Sequence, residues 1–197
     1  MTDVVFFEND FSNLNVSRLE GFFGDEFNLE VAVKREDQID TFVSGNKFRK
    51  LKYNLIEAQN LHQETLLTFG GAFSNHIAAT ARAGQRCGFK TIGVIRGEEL
   101  GITLDQTLQQ NPTLKFAYEC GMQFEFVTRK AYREKESAAF NQMLKEQFGD
   151  FYSIPEGGTN ALAVKGCKEI LSENTKDFDY IACAVGTGGT IAGIVEA

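Results

Sequence analysis

From Thr65 onward, short apolar runs alternate with longer amphipathic stretches. TLLTF (65–69) reads as a strand, GGAFSNHIAATARAGQRCG (70–88) as a loop and helix, TIGVIRG (91–97) as a strand, and a helical stretch runs on to Cys120. QFEFVT (123–128), a helix over 133–148, FYSI (151–154), a helix from Asn160 to Ser172 and the strand DYIACAV (179–185) continue the order. Upstream, Leu29, Val31 and Val33 alternate with Glu30, Ala32 and Lys34, which predicts a strand ending in a charged turn. Residues 1–28 show no clear period and read as an irregular arm that packs its aromatics on a neighbour. Strands alternating with helices predict an α/β fold around a parallel sheet with right-handed crossovers.

One stretch breaks a local rule. SGNKFRKLKYN (44–54) places Lys47, Arg49, Lys50 and Lys52 with no acidic residue at the start of a helix, with Leu51 and Leu55 on its buried face. A helix N-terminus already carries partial positive charge, so cations there repel it unless an anion or a covalent role offsets the cost. A solvated basic first turn is the plain reading; a site for something negative is the sharper one.

Composition narrows the partners. The 197 residues are 43% hydrophobic and 24% charged, enough to bury a core, and the net charge of -7 speaks against nucleic acid as a bulk partner. Small anionic ligands fit better. Cys87, Cys120, Cys167 and Cys183 lie far apart with only His62 and His76 to join them, so neither a zinc framework nor a disulfide scaffold is indicated and reduced, mostly buried thiols are expected. The N-terminus lacks the pattern of a signal peptide and no apolar run is long enough to span a bilayer, so no membrane role and a cytoplasmic location are expected.

In open parallel sheets, ligands bind beyond the carboxyl ends of the strands, where loops feed helix N-termini. GGAFSNH (70–76) leaves a strand through two glycines and starts a helix with Ser74, Asn75 and His76. A helix cap accounts for the Ser–Asn pair by itself; a cradle for a carboxylate or ring oxygen is the functional alternative. PEGGTN (155–160) repeats the arrangement with Asn160 as cap. GTGGT (Gly186, Thr187, Gly188, Gly189, Thr190) follows an apolar strand and precedes IAGIV, where consecutive N–H groups can wrap a phosphate. It lacks the Gly-Lys-Ser/Thr of a nucleotide P-loop, and Ile191 stands where a dinucleotide fingerprint has glycine, so neither ATP nor NAD is favoured.

KRED (34–37), SGNKFRKL, GGAFSNH, IPEGGTN and GTGGT in this order resemble the pyridoxal-phosphate enzymes of the tryptophan-synthase-β type (fold type II), with the closest likeness to the 1-aminocyclopropane-1-carboxylate deaminase and D-cysteine desulfhydrase family. The likeness runs from about residue 29 to the end. It implies pyridoxal 5'-phosphate as cofactor, with Lys47 matching the lysine that forms the Schiff base and moves the substrate Cα proton. By the same likeness Asn75 bonds the cofactor ring oxygen, Ser74 lies beside the substrate as carboxylate ligand or proton-transfer group, the GTGGT backbone cups the cofactor phosphate, and Lys50 adds a second cation. Ser74, Asn75 and His76 form the substrate side; His76 stands where cyclopropane deaminases carry an amide, which tilts the expectation towards β-elimination.

The resemblance further implies two parallel-sheet α/β domains, a large one of residues 1–50 and 152–197 and a small one of 51–151, with the C-terminal part of the large domain missing from this chain. The activity implied is a deaminase or β-eliminating lyase on a small amino acid, 1-aminocyclopropane-1-carboxylate or D-cysteine, giving a 2-keto acid and ammonia, in a homodimer when complete. A truncated or inactive relative, or a cofactor-free module binding a small phosphorylated metabolite, are the alternatives.

Overall fold

The computed structural model describes residues 4–9, 11, 14–21 and 29–197. The N-terminal arm contains the short helix α1 (Val5–Glu8) and strand β1 (Val16–Arg18). Its aromatics pack as expected, on one ring: Phe7 stacks on Phe48 with centroids 4.8 Å apart, and Phe6 and Phe11 meet Phe48 edge-on at 5.5 and 5.1 Å. The remainder of the arm, residues 1–3, 10, 12–13 and 22–28, lies outside the described residues. Of the stretch expected as a strand from Leu29, only β2 (Ala32–Lys34) forms, and it pairs β1 antiparallel rather than parallel. An antiparallel return needs no crossover helix.

A 3₁₀ turn over Glu36–Gln38 leads to α2 (Asn46–Asn60), which buries Phe48, Leu51, Leu55 and Ala58 at helical spacing. The chain then runs through β3 (Thr65–Gly70), α3 (Asn75–Cys87), β4 (Lys90–Arg96), three short helices α4 (Glu99–Ile102), α5 (Leu104–Gln110) and α6 (Pro112–Glu119), and β5 (Gln123–Val127). The helix expected over 133–148 is two, α7 (Arg129–Arg133) and α8 (Ala138–Phe148), because the Ser137 hydroxyl accepts the Phe140 N–H and starts a new helix. β6 (Tyr152–Ile154), a 3₁₀ turn at Glu156–Gly158, α9 (Ala161–Lys168), a further 3₁₀ turn at Glu173–Thr175 and α10 (Gly189–Glu196) complete the order.

β5, β4, β3 and β6 form one parallel sheet in that order. Helices cover both faces. Leu66 and Ile154 join Phe48, Leu51, Leu55, Ala79 and Ala83 on one side, while Leu67, Phe69, Ile92 and Val94 join Tyr132, Phe140 and Leu144 on the other. This two-sided burial is why β3 and β4 read as continuous apolar runs. Cys87, Cys120 and Cys167 are buried thiols, as expected.

The expected strand at 179–185 does not form: among the described residues it pairs with no other strand, and Tyr180 and Val185 are 92% and 63% exposed. An apolar run is only permissive; a strand exists when a neighbour takes its N–H and C=O groups.

Two glycines draw the last helices onto α2. A Cβ at Gly166 would collide with the Arg49 carbonyl, and one at Gly193 with Cys167, so α9 lies directly on α2 and α10 directly on α9. The stack carries the N-terminus of α10 to the basic start of α2.

Candidate active site

The sheet order places a topological switch point between β3 and β6, because the chain proceeds from β3 outward to β5 and returns on the opposite side of β3. At such a point, adjacent loops diverge and leave a crevice beyond the strand ends. The loops leaving those two strands are Gly71–Ser74 and Pro155–Asn160, and both end in helix caps. Ser74 Oγ accepts the Ile77 N–H at 3.4 Å, and Asn160 Oδ1 accepts the Ala163 N–H at 2.9 Å. The capping reading of both loops is therefore correct, and it leaves their other groups available.

The four cations of the α2 start divide into two pairs. The fully buried Arg49 donates Nε and Nη2 to Glu36 at 2.8 and 3.0 Å, Nη1 to Glu169 at 3.3 Å and Nη2 to the Phe11 carbonyl at 2.7 Å. Lys52 donates to both oxygens of Glu169 at 2.9 and 2.7 Å. Tyr53 also donates to Glu169, at 2.6 Å, and this bond, followed by burial, pushes its hydroxyl up to about 12. Arg49 and Lys52 are thus spoken for by carboxylates.

Lys47 and Lys50, one turn apart on a different face, have no carboxylate partner among the described residues. Both converge on one main-chain oxygen, the Gly157 carbonyl, at 3.4 Å from Lys47 Nζ and 3.2 Å from Lys50 Nζ. Lys50 also donates to Thr159 Oγ1 at 3.1 Å and Thr187 Oγ1 at 3.2 Å. Burial, and then the neighbouring Lys50 charge, bring the Lys47 amine down to about 8; burial also lowers Lys50. A lysine near 8 has a substantial neutral, nucleophilic fraction at neutral pH.

Lys47, Lys50 and Gly157 line a cavity of about 190 Å³ together with Asn46, Gly186, Thr187, Gly188 and Thr190. Gly188 is left-handed, with φ 84°, and caps α10 with no side-chain bond, so the first N–H groups of α10 have no partner within the helix. Asn46 Nδ2 donates to Thr190 Oγ1 at 2.9 Å and ties the loop to α2. A Cβ at Gly189 would lie 3.2 Å from Lys50 Nζ, which sets the ammonium in the bend of the glycine loop. Two cations and a set of open N–H groups in one cavity favour a small, multiply charged anion beside a nucleophilic amine. A larger cavity, about 480 Å³, lies beside the unpaired 178–184 segment and holds none of this constellation except Asn46 and Thr190.

On the β3 side, Asn75 is exposed and its amide makes no hydrogen bond among the described residues, whereas His76 is 1% exposed. His76 Nε2 lies 2.9 Å from Thr68 Oγ1, which donates its single proton to the Ile154 carbonyl at 2.9 Å. The network thus assigns the hydrogen to Nε2. Nδ1 makes no hydrogen bond of good geometry, although the nearby Pro155 carbonyl slightly favours the protonated ring. Burial, then the charges of Lys47 and Lys50, hold the ring down to about 3, and it is neutral. The Gly157 carbonyl, Thr159 and Thr68 are site groups that sequence reasoning missed. The consecutive glycines of PEGG, both at positive φ, are the one signal that marks that turn as special.

Comparison with known proteins agrees with this geometry. Residues 14–197 match the sequence profile of the pyridoxal-phosphate dependent enzyme family. A Thermotoga maritima protein provisionally named 1-aminocyclopropane-1-carboxylate deaminase is 36% identical over 177 residues, covering 86% of this chain and 54% of that protein. The bifunctional D-cysteine desulfhydrase/1-aminocyclopropane-1-carboxylate deaminase of Arabidopsis thaliana mitochondria is 34% identical over 178 residues, 84% of this chain and 44% of that protein. The crystal structure of an ACC deaminase homologue superposes with a TM-score of 0.69 at 27% identity, over 92% of this chain and 55% of that one. A hydrogen sulfide-producing enzyme from Fusobacterium nucleatum shares the fold at a TM-score of 0.68 and 17% identity. The chain spans about half the length of the curated relatives it matches. With a paired-lysine cavity closed by a glycine-rich helix start, on a fold of type II, this chain belongs to the pyridoxal-phosphate-dependent enzymes, within the 1-aminocyclopropane-1-carboxylate deaminase and D-cysteine desulfhydrase family.

Proposed function

We propose that this chain carries the lysine and phosphate-binding part of a deaminase or β-eliminating lyase that converts 1-aminocyclopropane-1-carboxylate or D-cysteine to a 2-keto acid and ammonia. The observation that carries this reading is the half-buried Lys47 amine, lowered to about 8, in one cavity with the backbone of Gly186–Gly188. The residues present fit pyridoxal phosphate, since open N–H groups, Thr187 and the Lys50 ammonium suit its phosphate and the neutral fraction of Lys47 suits its aldehyde. When bound, the cofactor supplies an electron sink for the substrate carbanion.

The chain's own residues then have distinct tasks. Lys47 would hold the cofactor covalently and, once displaced, would take the Cα proton of D-cysteine as the sulfur leaves Cβ. The cyclopropane amino acid has no Cα hydrogen, so with that substrate Lys47 would move a proton at a ring methylene instead. Lys50 and Thr187 would orient the phosphate, the Asn75 amide would serve the cofactor ring, and Ser74 would meet the substrate carboxylate or pass a proton beside it. The division into 1–50 with 152–197 and 51–151 is supported by Lys47 and Gly188 lining one cavity although they are far apart in sequence. A homodimer belongs to the same reading and rests on the likeness alone, and a cytoplasmic location is proposed with it.

The test is to supply purified protein with pyridoxal phosphate and measure ammonia from both amino acids, and sulfide from D-cysteine. No turnover of either by the full-length, cofactor-loaded protein would overturn the proposal, whereas little or no turnover is expected of the 197 residues alone. Ser74 offers a sharper check because it also caps α3. Ser74→Gly costs a cap only a few tenths of a kcal/mol, so the helix should hold while turnover falls about 10²–10⁴-fold with cofactor binding kept. Unchanged turnover in Ser74→Gly would leave the hydroxyl as a cap and nothing more.

A further inference from the structure

We propose that His76 is a positioning residue: through Thr68 and Gly158 it fixes the turn whose Gly157 carbonyl holds the Lys47 and Lys50 ammonium groups. The inference deepens the proposed function, since it takes from that reading only the role of Lys47.

The connection is continuous. His76 Nε2–H donates to Thr68 Oγ1 at 2.9 Å, and Thr68 donates to the Ile154 carbonyl at 2.9 Å, bonding β3 to the last residue of β6 by side chain where their ladder ends. Pro155 follows, and its carbonyl accepts the Gly158 N–H at 2.8 Å to close the turn. Gly158, at φ 74°, lies close against the imidazole: a Cβ there would stand 2.9 Å from His76 Cε1 and 3.5 Å from Lys50 Cβ. The ring thus abuts the turn at Gly158 while Lys47 and Lys50 hold the carbonyl of the preceding Gly157. A seat of this kind must stay neutral, because a third cation beside two lysines would be expelled. The absence of a good Nδ1 partner suits a spacer, and His76 touches no substrate on this reading.

The consequence falls on Lys47. Desolvation is the main cause of its lowered pKa, and the turn is in direct contact with the amine, the Gly157 carbonyl oxygen lying 3.4 Å from Lys47 Nζ. Removing the seat lets the turn move and hydrates the amine, which raises its pKa. The experiment is competitive acylation of lysines in cofactor-free protein across neutral to alkaline pH, read residue by residue by mass spectrometry. Lys52, paired with Glu169, serves as the internal reference. Wild type and His76→Gln, whose amide nitrogen can replace the Nε2 donor, should show Lys47 titrating near 8. His76→Phe keeps the ring but not the donor, and Thr68→Val removes the relay; both should raise Lys47 by about one unit and cut its labelling at neutral pH about tenfold.

Thr68→Val is nearly isosteric and decides the matter even if His76→Phe fails to fold. A role confined to stability would lower the melting temperature of these variants without moving the Lys47 titration, and that result overturns the proposal. Loss of turnover in His76→Gln with the Lys47 titration intact would likewise overturn it and make His76 a substrate or proton-transfer group. Because labelling is read with neither cofactor nor substrate present, its outcome is separate from any failure of cofactor trapping or turnover.

Discussion

Lys47→Ala should lose the visible absorbance of the cofactor-loaded protein and the adduct trapped by borohydride, with turnover reduced by at least about 10²–10⁴-fold. The neighbouring lysines give the contrast. Lys52→Ala should keep both signals, because that ammonium lies between the two oxygens of Glu169 and faces away from the glycine loop. Lys50→Ala should still trap the adduct at Lys47 but bind cofactor about 10–100-fold more weakly, the worth of a hydrogen bond to a charged group. Its loss also removes the like charge that helps to lower Lys47, so the Lys47 pKa should rise from about 8. The sign for pH follows: the neutral amine is the nucleophile, so cofactor capture by the wild type should quicken as pH rises towards about 8 and then level off. In Lys50→Ala the levelling should move to higher pH. Mass spectrometry of the borohydride-reduced peptide checks all three variants, and an adduct on another lysine in Lys47→Ala would reassign the covalent role.

Lys47 and the glycine loop are legible in the amino-acid sequence because their chemistry is local: a basic helix start and a strand–glycine–helix turn are each written in a few consecutive residues. The sorting of the basic cluster is not, since Glu169, which takes Lys52 and shares Arg49 with Glu36, caps another helix more than a hundred residues away. Spacing does hold a clue. Lys47, Lys50 and Asn54 recur at one helical face, and Arg49, Lys52 and Tyr53 at another, so two environments are implied on one helix. The Gly157 carbonyl, being main chain, is marked only indirectly, by the paired glycines of PEGG. The β3 and β4 runs read correctly because a strand covered on both faces leaves an unbroken apolar record. The same logic fails at 179–185, where composition permits a strand but no described neighbour pairs with it. His76 shows the limit for side chains, since its adjacency to Ser74 and Asn75 suggests a shared task although α3 turns it inward to Thr68.

Arg49→Ala should destabilise the protein by about 3–5 kcal/mol, because removing one partner of a buried ion pair leaves the other desolvated and alone. The Arg49 side chain is wholly buried, and Glu36, which takes two of its N–H groups, is only 14% exposed. Glu169 would keep Lys52 and Tyr53, and is 26% exposed, so the penalty should come mainly from Glu36 and the freed Phe11 carbonyl. For a chain of this size the loss corresponds to a drop of roughly 10 °C in melting temperature. Replacing both partners, as Arg49→Met with Glu36→Leu, should recover most of it, since well-packed apolar side chains can match a buried pair. The double-mutant cycle would then show a coupling of at least about 3 kcal/mol between the two positions. Additive losses would mean that Arg49 acts by filling volume rather than by pairing. The pair also fixes α2 against the 3₁₀ turn that precedes it, and Arg49 Nη1 bonded to Glu169 ties α2 to the end of α9. Arg49→Ala should therefore slow the covalent capture of pyridoxal phosphate by Lys47 at temperatures well below its own melting point, while Arg49→Met with Glu36→Leu restores capture together with stability. Restored stability without restored capture would separate the anchoring of α2 from the placing of its lysine.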